Sequence, residues 1–101
     1  MRVILVDPGE SARVMEIDLE LKSLWLVLDG YIELFAIDGH VACICNEEGR
    51  IRPMPFNRVF TLTDGSAWDI YGPLLLVGIN AGGMFESLTD DDIARWLPKY
   101  Q

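Results

Sequence analysis

The sequence is poor in the side chains that metal centres and nucleophilic active sites use, since it has one histidine and two cysteines. Cys43 and Cys45 are one residue apart, a spacing at which an extended chain must distort strongly to form a disulfide. We therefore expect two reduced thiols. On a strand, His40 would point to the opposite face from both cysteines. A closed zinc site then lacks ligands, and we predict neither a metal nor a cofactor.

Catalytic motifs are missing as well. The chain contains no G-x-S-x-G elbow, no glycine-rich phosphate loop and no H-E-x-x-H helix. A lone histidine beside a tight turn is more often solvated than catalytic. Glu47, Glu48 and Asp69 could converge, but among sixteen acidic residues chance proximity is common. We expect a protein that is not an enzyme and has no catalytic residue.

Long apolar runs are also absent. No stretch approaches the roughly 20 apolar residues of a membrane-spanning helix, and no basic segment followed by an apolar one opens the chain. Sixteen acidic residues against eight basic ones give a net charge of −8, which repels nucleic acids and anionic membranes. These features predict a cytoplasmic protein that binds neither membranes nor nucleic acids directly.

The residues that are present suffice for one folded domain. Half of the 101 residues are hydrophobic, and a single core is usual at this length, so we predict one globular domain over residues 1–101. The apolar run RVILVD predicts a buried strand, and residues 12–17 a partner strand. Residues 31–45 predict two strands joined by the Asp38-Gly39 turn. The segments VFTLT and PLLLVGIN predict further strands, and Gly82-Gly83 a turn.

A long helix is predicted over residues 19–28. Its apolar residues recur with the i, i+3, i+4, i+7 spacing of one helix face. They are Leu21, Leu24, Trp25 and Leu28. Leu26 and Val27 fall outside this stripe, so the helix is either covered on a second side or offers apolar surface to a partner. This helix and an unpaired sheet edge are also surfaces for a symmetric dimer.

A short helix is predicted at the C-terminal end, because Thr89 and Asp92 have the spacing of a capping box. Leu88 is placed to pack against Ile93 across that helix start. Together these elements predict an α+β fold, a small mixed sheet carrying one long helix in a β-grasp-like ββαββ order, followed by the short helix.

Charge singles out one segment. Residues 49–63 hold three arginines and no acid, so they carry +3, while the remaining residues carry −11. Arginine suits carboxylates and phosphates, and Pro53 and Pro55 stiffen this basic loop. The alternative is a solvated loop whose arginines form exposed ion pairs with acids such as Glu47. The candidate binding residues are Asn46, Glu48, Arg50, Arg52, Phe56, Asn57 and Arg58.

Four segments carry a family resemblance: GYIELF, CNEEGRIRPMPFNR, DIYGPLLLVG and FESLTDDDIARWL. Together they resemble the family known as domain of unknown function 3846, small proteins of bacteria, their phages and mobile elements, over nearly the whole chain. The sequence departs from the family pattern at Met54, Phe56 and Pro73. The resemblance brings no reaction, ligand or functional residue, and it implies an accessory protein of a phage or mobile element.

Three functional hypotheses follow. The leading one is a non-enzymatic protein-interaction module, which binds or inhibits a host protein for a phage or mobile element. The second is a domain that binds a nucleotide or another small anionic ligand through the basic loop. The third is an acidic mimic of DNA, as in antirestriction proteins, which needs acids spaced like phosphates along one surface.

Overall fold

Strands form most of the part of the chain that the computed structural model describes, residues 1–17, 32–37, 40–46, 54–61 and 65–100. The strands are β1 (Arg2–Val6), β2 (Arg13–Glu16), β3 (Ile32–Ala36), β4 (Val41–Asn46), β5 (Phe56–Thr61), β6 (Ala67–Tyr71), β7 (Leu74–Ile79) and β8 (Phe85–Glu86). The α-helix of the described residues, α1 (Asp90–Trp96), continues directly into a 3-10 helix, η1 (Leu97–Tyr100).

Two antiparallel sheets organise these strands. The main sheet has the order β2-β1-β7-β4-β3, and β8 pairs with β7 as its sixth strand. Strands β5 and β6 pair with each other and form a separate, small sheet. Strand β7 is central, because it pairs with β1 on one side and β4 on the other.

The central strands are buried on both faces, which explains their continuous apolar runs. Alternate residues supply two distinct clusters. One cluster contains Ile4, Val6, Cys43, Cys45, Leu74 and Leu76. The other contains Val3, Leu5, Ala42, Ile44, Leu75 and Val77. The first cluster also includes residues of the small sheet and of the C-terminal segment, namely Phe60, Ile70, Leu88 and Trp96. The small sheet and α1 therefore cover the first face of the main sheet.

The predicted α+β, β-grasp-like fold class is wrong. Strands account for 52% of the described residues and helix for 15%, and the helical part is one short segment rather than a long helix on a mixed sheet. The pairing is antiparallel throughout the described strands. The physical reason is that the described strands form two sheets, of which the smaller covers one face of the larger, whereas the prediction had a single sheet. The predicted helix 19–28, with Leu26 and Val27, lies outside the described residues.

Several local predictions are confirmed. The run RVILVD contains β1, and its partner strand β2 follows the turn in which Asp7 O accepts from Glu10 N at 3.1 Å. Thr89 caps α1 with the reciprocal capping box, in which Thr89 Oγ1 accepts from Asp92 N and Asp92 Oδ2 accepts from Thr89 N. Leu88 is buried and Ile93 packs against its cluster, as the helix start required.

Because the core lies on both faces of the main sheet, truncating two leucines of the same face should lower the free energy of unfolding by very different amounts. Leu75 is fully buried, whereas Leu34 is 41% exposed. Leu75→Ala should lower the free energy of unfolding by about 2 to 5 kcal/mol, because it leaves a cavity. Leu34→Ala should cost about 1 kcal/mol or less, since little apolar surface is lost from the interior. Urea denaturation followed by circular dichroism measures both, and equal losses would contradict this placement of the core.

Candidate functional site

Strand β5 carries most of the described candidate binding residues. Phe56, Asn57 and Arg58 are its first three residues, and Asn46 is buried at the end of β4. The remaining candidates, Glu48, Arg50 and Arg52, lie outside the described residues. The structure therefore shows the rear half of the predicted basic loop as a strand. The binding role of the whole set stays a prediction.

Asn57 is an internal connector between the two sheets. A register shift between Phe56 and Arg58 turns its side chain inward, where it is 6% exposed. Its Nδ2 donates to Val6 O and to Gly72 O, each at 2.8 Å. The amide thereby ties the end of β1 to the turn after β6. Its Oδ1 is buried and has no hydrogen-bond partner among the residues that the structure describes.

Arg58 also serves the backbone. Its Nη2 donates to Glu10 O and to Tyr100 O, each at 2.8 Å. Tyr100 O accepts a second bond, from Ala12 N at 3.0 Å. Arg58 thus joins three segments: the β1–β2 turn, β5 and the end of η1. The guanidinium group thereby adds a charged donor to one carbonyl oxygen at the end of η1 and to one in the β1–β2 turn.

Tyr100, whose backbone oxygen binds Arg58, also has an aromatic contact and a shifted pKa. Tyr100 stacks on Phe60 with ring centroids 4.9 Å apart. Burial raises the pKa of Tyr100 to about 12, with a further increase from Cys43 and an opposing decrease from the Arg58 charge. A phenol with this pKa stays protonated near neutrality. It therefore offers an O–H group rather than a base.

Both cysteines are free and buried in the first core cluster, as the prediction of reduced thiols requires. Burial raises the pKa of Cys43 well above its ordinary value, and the neighbouring Cys45 raises it further. Burial also raises the pKa of Cys45 to about 12, with a contribution from Glu33. Because the thiolate is the reactive form, neither side chain is suited to nucleophilic or redox chemistry in the folded state.

The outer face of the small sheet carries exposed apolar side chains. Phe56 is 50% exposed, and its ring meets that of its cross-strand partner Tyr71 edge-on, with centroids 5.5 Å apart. Val59 is 52% exposed and pairs with Asp69 on the same face. We call Phe56, Val59 and Tyr71 the outer patch. Phe56 is the member that the sequence analysis anticipated.

The sequence analysis did not anticipate Val59 and Tyr71 as surface residues. It did not predict β6, because the exposed face of that strand has no apolar alternation, and without β6 the small sheet has no outer face. The segment VFTLT does predict β5, and its period of two places Val59 opposite the buried Phe60. The pairing with β6, however, depends on the bulge at Asn57. Two neighbouring strands with an irregular register give no signal in a single sequence.

No group of histidine, cysteine and acidic residues in residues 1–17, 32–37, 40–46, 54–61 and 65–100 is arranged to hold a metal ion. Over the same residues, no helix has the length and apolar character needed to cross a bilayer.

Comparison with protein families places the chain. A family model described as a domain of unknown function, DUF3846, matches residues 1–101. The chain belongs to the DUF3846 family. The resemblance seen in the four sequence segments is thereby confirmed over the whole chain. No curated protein and no solved structure matches this DUF3846 chain.

The contacts of Arg58 predict that this residue contributes to stability. Arg58→Ala should lower the free energy of unfolding by about 1 to 3 kcal/mol, because two carbonyl oxygens lose a charged donor. Arg58→Lys should lose less, since an ammonium group retains the charge but not the forked geometry. Chemical denaturation measures both variants.

Arg13 provides the matched control for Arg58. It pairs with Asp7 and Glu10 at an exposed position, so Arg13→Ala should change the free energy of unfolding by about 0 to 1 kcal/mol. If Arg58→Ala costs no more than Arg13→Ala, the inward bonds of Arg58 do not stabilise the fold.

The thiols give a pH prediction. The pKa values of Cys43 and Cys45 are higher in the folded than in the unfolded state. The contribution of the two protonated thiols to the free energy of unfolding is therefore fully present below the unfolded pKa, and it is lost as pH rises above about 8.5. Stability should therefore fall on the alkaline side. A thiol reagent should label both residues only after unfolding, and rapid labelling of the native protein would contradict their burial.

Proposed function

We propose that this protein is a non-enzymatic protein-interaction module whose contact surface is the outer patch. The observation that carries the proposal is the contrast between the two faces of the small sheet. Phe60 and Ile70 on the inner side are buried against the main sheet, whereas Phe56 and Val59 on the outer side are half exposed. Exposed large apolar side chains grouped on one face of a small protein are a common feature of interaction sites.

The outer patch is ordered before any partner arrives. The edge-on contact between Phe56 and Tyr71 restrains both rings, and their strands are held in register by the pairs from Phe56 to Thr61. Asn57 and Arg58 fix the same strand from below through bonds to backbone carbonyls. Restrained aromatic side chains lose little entropy on binding, which favours affinity.

Charge indicates the kind of partner. Asp69 lies on the same face beside Val59, and the whole chain has a net charge of −8. A partner with an apolar centre complements the exposed side chains, and a net positive charge on that partner speeds its approach to a chain of net charge −8. Following the implication of the family resemblance, we propose that the partner is a host protein and that this chain acts for a phage or mobile element. Its two reduced thiols are consistent with a cytoplasmic setting.

The small-ligand alternative is less well supported. The Nδ2 donors of Asn57 and the Nη2 donors of Arg58 are engaged by backbone carbonyls, so an anion that binds these groups would have to displace structural bonds. The DNA-mimic alternative needs acids along one surface, yet Asp92 is used in the helix cap and Asp90 pairs with Arg2. The interaction module therefore remains the function that the geometry favours.

The test combines site-specific crosslinking with a matched valine pair. A photoreactive amino acid at position 59 should crosslink one host protein, and the same group at exposed Ala94 of α1 should not. With that protein purified, Val59→Ser should weaken binding tenfold or more by calorimetry, a loss of about 1.4 kcal/mol. Val14→Ser is the control, because Val14 is 41% exposed on the edge strand β2, outside the small sheet.

Each result separates the alternatives. Equal weakening by both serine variants, or none by Val59→Ser, would reject the outer patch. A crosslink between two copies of this chain would replace the host partner with a homodimer. Unchanged circular dichroism spectra and melting temperatures of the variants are required, so that a loss of binding is not a loss of fold.

A further inference from the structure

His40 lies between two carboxylates from different elements, away from the outer patch. It precedes β4, and its Nε2 is 2.9 Å from Asp92 Oδ2 of α1. Its Nδ1 is 3.4 Å from Glu86 Oε1 of β8. The His40 and Glu86 side chains are each 41% exposed, whereas Asp92 is 14% exposed. The sequence analysis expected a solvated ring beside a turn, and the ring instead connects three elements.

The chemistry of this cluster depends on the proton count of the ring. A neutral imidazole has one N–H group and one lone pair, whereas an imidazolium has two N–H groups. An ionised carboxylate only accepts hydrogen bonds. Both contacts of His40 are therefore favourable together only when the ring is protonated. After loss of one proton, one carboxylate must face a nitrogen lone pair.

Of the two carboxylates that contact His40, that of Asp92 is held more firmly. Its Oδ2 also accepts from Thr89 N at 2.9 Å within the capping box. Burial raises the pKa of Asp92, but the bonds from Thr89 and the His40 charge outweigh burial and leave the pKa below its ordinary value. Asp92 thus stays ionised, and its stabilising contribution is lost only as pH falls through the lowered value. The remaining proton of a neutral ring should stay with Asp92.

Glu86 is the weaker partner because its contact with the ring is longer, 3.4 Å against 2.9 Å for Asp92, and its side chain is more exposed. In the described sheet, β8 pairs with Gly78 and Ile79 of β7, and Phe85 packs against the second core cluster. This approach is close, since a Cβ atom on Gly78 would lie 2.8 Å from Glu86 O. Next along the chain, Leu88 N donates to Arg2 O at 2.9 Å. Release of Glu86 would loosen this short segment between β7 and α1.

We infer that His40, Glu86 and Asp92 form a pH-dependent clamp, closed on β8 and α1 when the imidazole is protonated and open at the Glu86 arm when it is not. Among the described residues, the titratable groups that contact the ring are Glu86 from β8 and Asp92 from α1. Strand β7 contacts His40 through the bond from Ile79 N to His40 O, and its own residues bring no titratable side chain. The clamp does not depend on the proposed interaction function.

Hydrogen exchange of the backbone amides tests the clamp. Protection factors, corrected for intrinsic exchange, should fall about fivefold or more at Glu86 and Leu88 between about pH 5.5 and about pH 8 in the unmodified chain, the range in which histidine changes charge. The β1 and β4 amides should change little. NMR titration of the single histidine reports the protonation step, and the loss of protection should follow the same curve.

Two substitutions of equal charge change make the test specific. In Glu86→Gln, the amide can pair with a neutral ring, so the pH dependence at β8 should largely disappear. In Asp91→Asn, the same charge is removed from an exposed first-turn residue of α1, and the pH dependence should persist. His40→Gln, which keeps a donor at that position, should give pH-independent protection at β8.

Three results would overturn the clamp. One is equal protection at both pH values in the unmodified chain. Another is a pH dependence that survives Glu86→Gln. The third is its loss in Asp91→Asn to the same extent as in Glu86→Gln, which would indicate a general charge effect. Melting curves of all variants establish that each is folded under the conditions of the exchange experiment.

Discussion

The structure depends on a sheet that must be shielded from water on both faces. Strands β1, β4 and β7 are buried at every or nearly every residue, so neither face of the main sheet can be left to solvent. On the first face the small sheet and α1 supply the cover, through Phe60, Ile70 and Trp96. The positions of Asn57 and Arg58 follow from how those covering elements are attached to the main sheet.

Attachment is achieved mainly by side chains that bind backbone. Asn57 and Arg58 hold the small sheet to β1, to the β1–β2 turn and to η1 through carbonyl acceptors. Trp96 anchors the other end of this layer, with the cations of Arg95 and Lys99 lying 5.2 Å and 4.6 Å from its ring centroid. Asn57 and Arg58, which the sequence suggested as binding residues, thus hold the two layers of the fold together. The outer face of the same strand is left available for contact.

Local features could be predicted from the sequence, whereas the layer arrangement could not. The capping box at Thr89 and the strand β1 each follow from a few consecutive residues, and both are confirmed. The predicted fold class was wrong because β6, whose residues are mostly exposed, was not recognised as a strand, so the second sheet was not anticipated. His40 was assigned by the alternation of a strand, yet it lies just before β4. Its contacts with Asp92 and Glu86 come from long-range topology, which no single-sequence pattern reports.

Gly78 has an evolutionary consequence. The space above its Cα is filled by the backbone of Glu86 and Ser87, so a relative with a bulkier residue there would have to splay the β7–β8 turn. Such a relative would move its acidic side chain away from the imidazole as well. Glycine at this position and the histidine–glutamate pair should therefore be gained or lost together as the family diversifies.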